Sequence, residues 1–486
     1  MPALDPSEIE SIVGRVRSRF GGAAPTAAPA LKPAPPPPTA GARTGQPGIF
    51  ADVDEAVTAA RHAFESFRDL GLGARRQVID SVRAAMRGAA AELAQAAHQE
   101  TGLGRAEDKT RKNLLVTEKT PGPEDLEPRA VTGDDGMTVT EFAPFGVVAA
   151  ITPTTNPTAT IINNTIAIVS AGNAVVFNPH PYAKRVSVDN VVRINDAIIA
   201  AGGPPNLVCT IPEPTIESAQ QLMHHRKIRL LMVTGGPGVV DEALKTNKRA
   251  ITAGPGNPPV LVDSTADIGR AARGIVQGAS FDNNMVCTDE KVVFVCRERA
   301  DELLRAMGKS GAYVLKEYQL KQLEKVIFER LGGPREHGRI NRKWIGQNAG
   351  RILAQIGVQA DDELRLVVAE VPQEHSLVWT EQMMPVMPVA RVANLEEGID
   401  LSVAAEHGYG HTGSIYSNDV EAITRMAQRM NCSIFVANGP NTSGLGAGGE
   451  DFTSFSIATP TGEGLTRPRS FSRIRRLSVV GSLRIV

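Results

Sequence analysis

Cysteine, aromatic residues, net charge and long apolar runs are all scarce in this chain, and each scarcity excludes a class of protein. The four cysteines form no Cys-x-x-Cys pair, which argues against a zinc site or a disulfide framework and favours a reducing cytosol. A formal net charge of −1 gives no general attraction to nucleic acid. No apolar run approaches the ~18 residues of a membrane span. We therefore expect no resident metal, no nucleic acid and no membrane among its partners.

The first 48 residues form two segments ahead of the globular body. Residues 1–20 predict an amphipathic helix that starts at Asp5-Pro6 and places Ile9, Ile12, Val13, Val16 and Phe20 on one face. Residues 21–48 are rich in Pro and Ala, which is typical of an extended linker. A short helix on a stiff linker has to bury its apolar stripe elsewhere. Either it packs on its own globular domain, or it binds a partner.

From residue 49 onward, strand patterns alternate with helix patterns, which predicts parallel sheets covered by helices. We expect a first α/β domain over residues 49–252, a second over 253–440, and a return of residues 441–486 to the first. A hairpin arm is predicted at about 129–143. The last segment, with basic and apolar residues intermixed, predicts an edge strand that pairs with another subunit.

Five motifs recur in a fixed order along the body: ITPTTNPT, AGNAVVFNPHPYAK, VTGGPG, AGPGNPP and SFDNNMVC. Together they resemble the aldehyde dehydrogenase superfamily, and more narrowly the CoA-acylating members of bacterial microcompartments of the propanediol- and ethanolamine-utilisation type. The resemblance implies an α/β fold with a Rossmann-type NAD-binding domain, an α/β catalytic domain and a β oligomerisation arm. A homodimer or homotetramer is then expected.

The same resemblance assigns the catalytic residues. Cys287 would attack the aldehyde carbonyl as a thiolate and form a tetrahedral thiohemiacetal, whose carbon passes hydride to the nicotinamide and leaves a thioester on Cys287. Asn156 would donate its side-chain amide to the oxyanion, which contributes roughly 3 kcal/mol in comparable sites. The polar neighbours of Cys287, from Asp282 to Asp289, argue against deep apolar burial of the thiol. Cys209, Cys296 and Cys432 lie in or beside apolar strands and are expected to be structural.

Hydrolytic relatives carry a glutamate that activates water, and the matching position here is Ala253. No carboxylate lies between Arg249 and Val262. Water needs such a base, whereas a thiol with a pKa of ~8.5 needs much less help. We therefore expect coenzyme A to accept the acyl group.

The resemblance also assigns a cofactor site. Glu381 would hold the hydroxyls of the nicotinamide ribose, since a carboxylate accepts two hydrogen bonds from a diol. The run Asn178-Pro179-His180-Pro181 stands where many relatives have Lys-Pro-x-Glu, so the Lys and Glu that bind the adenosine ribose in those relatives are absent; NAD is expected and NADP is not excluded. The expected cofactor-binding residues are Thr152, Pro153, Asn178, His180, Thr234, Gly235, Gly236 and Glu381.

In this family context, residues 1–20 resemble an encapsulation peptide that binds a microcompartment shell protein. The location implied is the lumen of such a compartment in the cytoplasm. The substrate would be a short-chain aldehyde, with propanal favoured over acetaldehyde. Three alternatives stay open: a hydrolytic aldehyde dehydrogenase with a base from elsewhere, a non-catalytic cargo protein, and a γ-glutamyl phosphate reductase-like enzyme.

Overall fold

The computed structural model describes residues 45–485, so the helix expected at 1–20 and almost all of the linker expected at 21–48 lie outside the described residues. Within residues 45–485, no helix is both long and apolar enough to cross a membrane. Two parallel sheets and one antiparallel sheet organise this part of the chain.

The first sheet has five parallel strands in the order β5-β4-β3-β6-β7. Its strands are near-continuous apolar runs, as expected for a sheet with helices on both faces. The strand order reverses between β3 and β6, which makes a Rossmann-type crevice at their carboxyl ends. The strands are β3 (Val147–Thr152), β4 (Ala174–Pro179), β5 (Val208–Thr210), β6 (Ile228–Thr234) and β7 (Arg249–Ala253).

Seven helices surround this sheet. The most buried of them starts directly after Asn156, and all of its residues are buried. They are α1 (Val53–Arg68), α2 (Leu72–Thr101), α3 (Ala106–Lys119), α4 (Pro157–Ser170), α5 (Lys184–Ala200), α6 (Ile216–His224) and α7 (Pro237–Leu244).

The second sheet has seven parallel strands in the order β10-β13-β14-β9-β8-β15-β16. The strands are β8 (Pro259–Val262), β9 (Val292–Cys296), β10 (Ala312–Val314), β13 (Leu366–Glu370), β14 (Val386–Val392), β15 (Thr412–Tyr416) and β16 (Ile434–Ala437). Its helices are α8 (Ile268–Ala279), α9 (Arg297–Lys309), α10 (Glu317–Ile327), α11 (Ala349–Ala354), α12 (Ser376–Trp379), α13 (Leu395–Ala405) and α14 (Val420–Met430). Cys287 lies in the segment between α8 and β9.

The third sheet is antiparallel and joins two distant parts of the chain. The hairpin β1 (Arg129–Gly133) and β2 (Gly136–Pro144) pairs with β19 (Ser472–Val480) over nine residue pairs. Ile474 and Leu477 of β19 are more than 60% exposed, and the far edge of β19 pairs with no described strand. Four short strands complete the described residues: β11 (Phe328–Arg330), β12 (Arg339–Ile340), β17 (Ile457–Ala458) and β18 (Gly464–Leu465).

The α/β fold class is confirmed, and the domain limits expected at residues 252 and 440 stay a prediction. Six helices were not predicted from the sequence, namely α3, α10, α11, α12, α13 and α14. The sequence pattern predicts a helix from Thr160, and in the structure this helix begins at Pro157, because proline suits the first helical position. Asn156 is therefore the residue that precedes α4.

Candidate active site

The segment that leads to Cys287 is a left-handed turn. Asp282, Asn283 and Asn284 have φ values of 44°, 57° and 65°, a region that few residues other than glycine adopt and that Asp and Asn tolerate best. Each of the three side chains is buried and hydrogen-bonded, so the surrounding protein supports the strained backbone. These polar neighbours of Cys287 are themselves buried, and hydrogen bonds compensate for their burial.

Cys287 is half-buried and lies in a loop that Asp289 closes. The Asp289 carboxylate accepts a hydrogen bond from the Val286 N–H at 3.0 Å, and the Asp289 N–H donates to the Val286 carbonyl at 3.0 Å. Burial, and then the negative charge of Glu381, raise the pKa of the Cys287 thiol to about 12. The ammonium of Lys291 acts in the opposite direction. Without bound substrate and cofactor, the thiol is therefore protonated at neutral pH.

Gly256 lies between Cys287 and two further residues, Glu381 and His411. The Glu381 carboxylate accepts a hydrogen bond from the Gly256 N–H, and burial raises its pKa above the ordinary value. A β-carbon on Gly256 would lie 2.8 Å from the Cys287 carbonyl oxygen and 3.1 Å from Cγ of His411. Only glycine fits this close approach. His411 is fully buried with its Nε2 unpartnered, and burial lowers its pKa to about 4, so its ring is neutral.

Asn156 reaches the same region from the other sheet. Its side chain does not cap α4; its Oδ1 accepts a hydrogen bond from Nζ of Lys112 at 2.5 Å. Lys112 also bonds the Asp282 carboxylate, five residues before Cys287. The structure therefore links the expected oxyanion donor to the turn that carries the expected nucleophile.

Seven of the expected cofactor-binding residues line one groove of about 750 Å³ at the carboxyl ends of β3, β4 and β6. Ligand sites in parallel sheets lie at this edge, where the strand order reverses. The seven are Thr152, Pro153, Asn178, His180, Thr234, Gly235 and Gly236.

The groove suits a nucleotide cofactor. The Thr152 hydroxyl is buried without a hydrogen-bond partner, and α7 begins at the groove with no side-chain cap on its free N–H groups. The Asn178 side chain has partners of its own, because its Oδ1 accepts from the Ser218 hydroxyl at 2.6 Å and its Nδ2 donates to the Thr215 carbonyl. His180 is exposed and accepts from the Tyr182 N–H through its Nδ1. The cofactor roles of these residues stay predictions.

Ala253 ends β7, and its methyl group is 4% exposed. Its carbonyl accepts a hydrogen bond from the Gly235 N–H at 3.1 Å, which ties the strand to the groove. Glu381 and Asp289 are the two carboxylates whose charges raise the pKa of the Cys287 thiol. The Glu381 carboxylate accepts a hydrogen bond from the Gly256 N–H, and the Asp289 carboxylate accepts one from the Val286 N–H.

Sequence reasoning missed three buried residues around Cys287, namely Lys112, Lys291 and His411. Lys291 donates to the Asn284 carbonyl and side chain at 2.8 and 2.7 Å and to the Val286 carbonyl at 3.2 Å. The sequence gives little indication that Lys291 is buried, because a lysine directly before an apolar strand is normally solvated. Its burial becomes evident only when the turn is seen to supply its acceptors.

Two parallel sheets, a groove at the switch point of the first and a cysteine that follows a left-handed turn are features typical of a nucleotide-dependent enzyme. The model of the aldehyde dehydrogenase family matches residues 42–314 and 365–453. The chain belongs to this family.

Similar proteins of known activity narrow the class. The chain is 49% identical to the acetylating acetaldehyde dehydrogenase EutE of Salmonella typhimurium, over 90% of this chain and 94% of that protein. A crystal structure of Rhodopseudomonas palustris propionaldehyde dehydrogenase with bound CoA and an acylated cysteine matches with a TM-score of 0.88 and 43% identity, over 90% of this chain and 99% of that one. A propionaldehyde dehydrogenase from the fucose-utilisation microcompartment of Clostridium phytofermentans matches with a TM-score of 0.87 and 40% identity, over 91% and 100%.

Proposed function

We propose that this protein is a CoA-acylating aldehyde dehydrogenase, which converts a short-chain aldehyde into its acyl-CoA. The observation that carries the proposal is the 49% identity to an acetylating acetaldehyde dehydrogenase over nearly its whole length. The resemblance read from the motifs and the similarity found with these relatives agree on the acylating class.

The chain's own residues account for the first half of the reaction. The Cys287 thiol releases its proton to solvent, its sulfur attacks the aldehyde carbonyl, and the carbonyl oxygen becomes an oxyanion that accepts a hydrogen bond from Nδ2 of Asn156. The bound nicotinamide supplies a hydride acceptor, and loss of hydride leaves an acyl thioester on Cys287. Lys291 is the nearby positive charge that favours the thiolate over the thiol.

The second half of the reaction needs a nucleophile that works without a strong base. Position 253 carries a methyl group, and the residues that follow it to Val262 hold no carboxylate. Glu381 and Asp289, the two carboxylates that raise the pKa of the Cys287 thiol, each accept a hydrogen bond from a backbone N–H. The thiol of CoA attacks the thioester carbonyl, the bond to the Cys287 sulfur breaks, and acyl-CoA leaves with one thioester exchanged for another.

NADH formation from an aldehyde with and without CoA tests this function, in a buffer free of other thiols. We expect NADH to accumulate continuously only with CoA, with acyl-CoA as the product. Cys287→Ala should abolish turnover while the thermal midpoint stays near that of the wild type. Continuous NADH formation with free acid and no CoA would establish the hydrolytic alternative instead.

The finer identity of the ligands belongs to the same proposal. The motif resemblance favours propanal, whereas the relative at 49% identity is an acetaldehyde dehydrogenase, and the ratio of kcat/KM for the two aldehydes decides between them. NAD is favoured over NADP, and Asn178 and His180 are proposed to line the adenosine end of its groove. The proposal that a metal takes no part is tested by activity after treatment with EDTA, which should be unchanged.

We also propose two kinds of protein partner. The exposed β19 edge, with Ile474 and Leu477, suits pairing with a second copy of the chain in a homodimer or homotetramer, and light scattering that finds a monomer would contradict this. Residues 1–20 are proposed to bind a shell protein in the lumen of a microcompartment. Deleting them should leave kinetics unchanged and abolish co-purification with shells, whereas retained co-purification would refute the tag.

A further inference from the structure

The Asn156 side chain has its amide orientation fixed by a buried cation. Nζ of Lys112 lies 2.5 Å from the side-chain oxygen of Asn156. An ammonium group carries only donors, so the atom facing it has to be the oxygen and not the amide nitrogen. This removes the usual ambiguity between the two ends of an asparagine amide. The Asn156 Nδ2 therefore points away from Lys112.

Within the described residues, Nδ2 of Asn156 makes only a weak hydrogen bond. The Nδ2 of Asn156 lies 3.3 Å from the Thr155 hydroxyl, a long hydrogen bond between neighbouring residues. A stronger acceptor, such as an oxyanion on the carbon bonded to Cys287, can replace this contact at little cost. The amide is thus held ready to donate before the substrate arrives.

Lys112 is itself held by the turn that carries Cys287. Its Nζ also bonds the Asp282 carboxylate, and the Lys112 residue is 1% exposed. Lys109, one helical turn earlier on α3, donates to the same Asp282 oxygen at 2.9 Å and to the Thr155 carbonyl at 3.4 Å. The second oxygen of Asp282 accepts the Arg105 N–H at 2.7 Å. Two lysines therefore join the segment that ends at Asn156 to the segment that ends at Cys287.

We propose that Lys112 is a positioning residue for the acylation reaction, which orients Asn156 so that its Nδ2 faces the forming oxyanion. The inference rests on the proposed function, but it concerns only the step that forms NADH. The competing explanation is purely structural, namely that Lys112 only neutralises the buried Asp282 carboxylate. Lys109 makes the same ion pair without touching the Asn156 side chain, so the chain contains its own control.

The test is a double-mutant cycle on the first-turnover burst of NADH, measured with propanal and NAD in the absence of CoA. Asn156→Ala should slow the burst roughly 10²- to 10³-fold, as loss of an oxyanion donor does elsewhere. Lys112→Met should slow it roughly 10- to 100-fold, with little change in the aldehyde concentration for half-saturation. In the Asn156→Ala background, Lys112→Met should slow it by less than about threefold, because the interaction it supports is already gone.

Lys109→Met and Lys112→Arg are the matched controls. Lys109→Met should slow the burst much less than Lys112→Met, although both remove one ammonium from Asp282. Lys112→Arg keeps the charge and a donor, and it should recover part of the burst rate. If Lys112→Met does not fold, Lys112→Arg is carried through the same cycle with Asn156→Ala.

An equal loss from Lys112→Met in both backgrounds, or equal losses from Lys109→Met and Lys112→Met, would overturn the proposal. Because the burst precedes acyl transfer, these outcomes do not depend on whether CoA or water takes the acyl group. Failure of the acylating function would show separately, as continuous NADH formation by the wild type without CoA.

Discussion

Replacing Asp282 with asparagine should destabilise the protein by about 3–5 kcal/mol, because two buried ammonium groups then lose their counter-charge. The carboxylate is fully buried, with Lys109 and Lys112 on one oxygen and the Arg105 N–H on the other. Asparagine has the same shape but only one acceptor. Either the backbone N–H or the lysine pair must then face an NH2 group, whichever way the amide is turned.

The assay is the thermal midpoint at a fixed protein concentration, since the midpoint of any protein that associates depends on its concentration. At roughly 2–4 °C per kcal/mol for a domain of about 200 residues, the expected fall is roughly 6–20 °C. Glu317→Gln is the control, because Glu317 pairs with Lys321 on an exposed face of α10. An exposed pair of this kind contributes little, so the control should not shift the midpoint.

The pH dependence and a second substitution separate the charge explanation from a packing explanation. Burial opposes the charge of Asp282, but Lys109 and Lys112 outweigh it and hold its pKa below the ordinary value. The carboxylate therefore contributes stability above its ordinary pKa of ~3.9, and this contribution is lost as the pH falls through the lower folded-state pKa. Adding Lys109→Met to Asp282→Asn removes one surplus ammonium and should recover part of the loss. An Asp282→Asn variant with the wild-type midpoint, or no recovery in the double variant, would refute the reasoning.

Two further substitutions probe the surroundings of Cys287. Glu381→Gln removes a negative charge that raises the pKa of the Cys287 thiol, so alkylation by iodoacetamide should become faster near pH 8 and its pH profile should move to lower pH; an unmoved profile would contradict the contact. Gly256→Ala places a β-carbon 2.8 Å from the Cys287 carbonyl oxygen and should slow the NADH burst at least tenfold, at a stability cost of about 1–3 kcal/mol. A Gly256→Ala enzyme with full activity would show that the close approach is dispensable.

The family resemblance assigned the groove residues, and the α/β pattern agrees with that assignment because these residues follow buried strands. Thr152 and Thr234 each end a parallel strand, and such ends meet at one edge of the sheet whatever the details of packing. The α/β class followed from the alternation of strand patterns and helix patterns along the chain. These features depend on local patterns that a single sequence displays.

The helix α3 escaped prediction because its buried face is polar. Asp108, Lys109, Lys112 and Asn113 point inward, so the helix lacks the apolar period that identifies an amphipathic helix. The two lysines can be buried because Asp282 and Asn156 supply their acceptors, whereas Asp108 pairs with Arg365 and Asn113 bonds Ala90 and Thr158. Contacts between residues about 170 positions apart are not visible in a local pattern, which is why the positioning role of Lys112 required a structure.

The side chains of the two asparagines before Cys287, Asn283 and Asn284, hold the backbone of the turn. The Asn283 side chain accepts from Nε of Arg105 and donates to the Gly346 carbonyl and to Oδ1 of Asn348. The Asn284 side chain donates to the carbonyls of Ala279 and Glu290 and accepts from Lys291. Both amides are fully used in holding a left-handed turn, so neither has a donor left for the substrate. A side-chain donor for the oxyanion on the aldehyde carbon therefore has to come from outside this turn, which is the place that the proposed role of Asn156 requires.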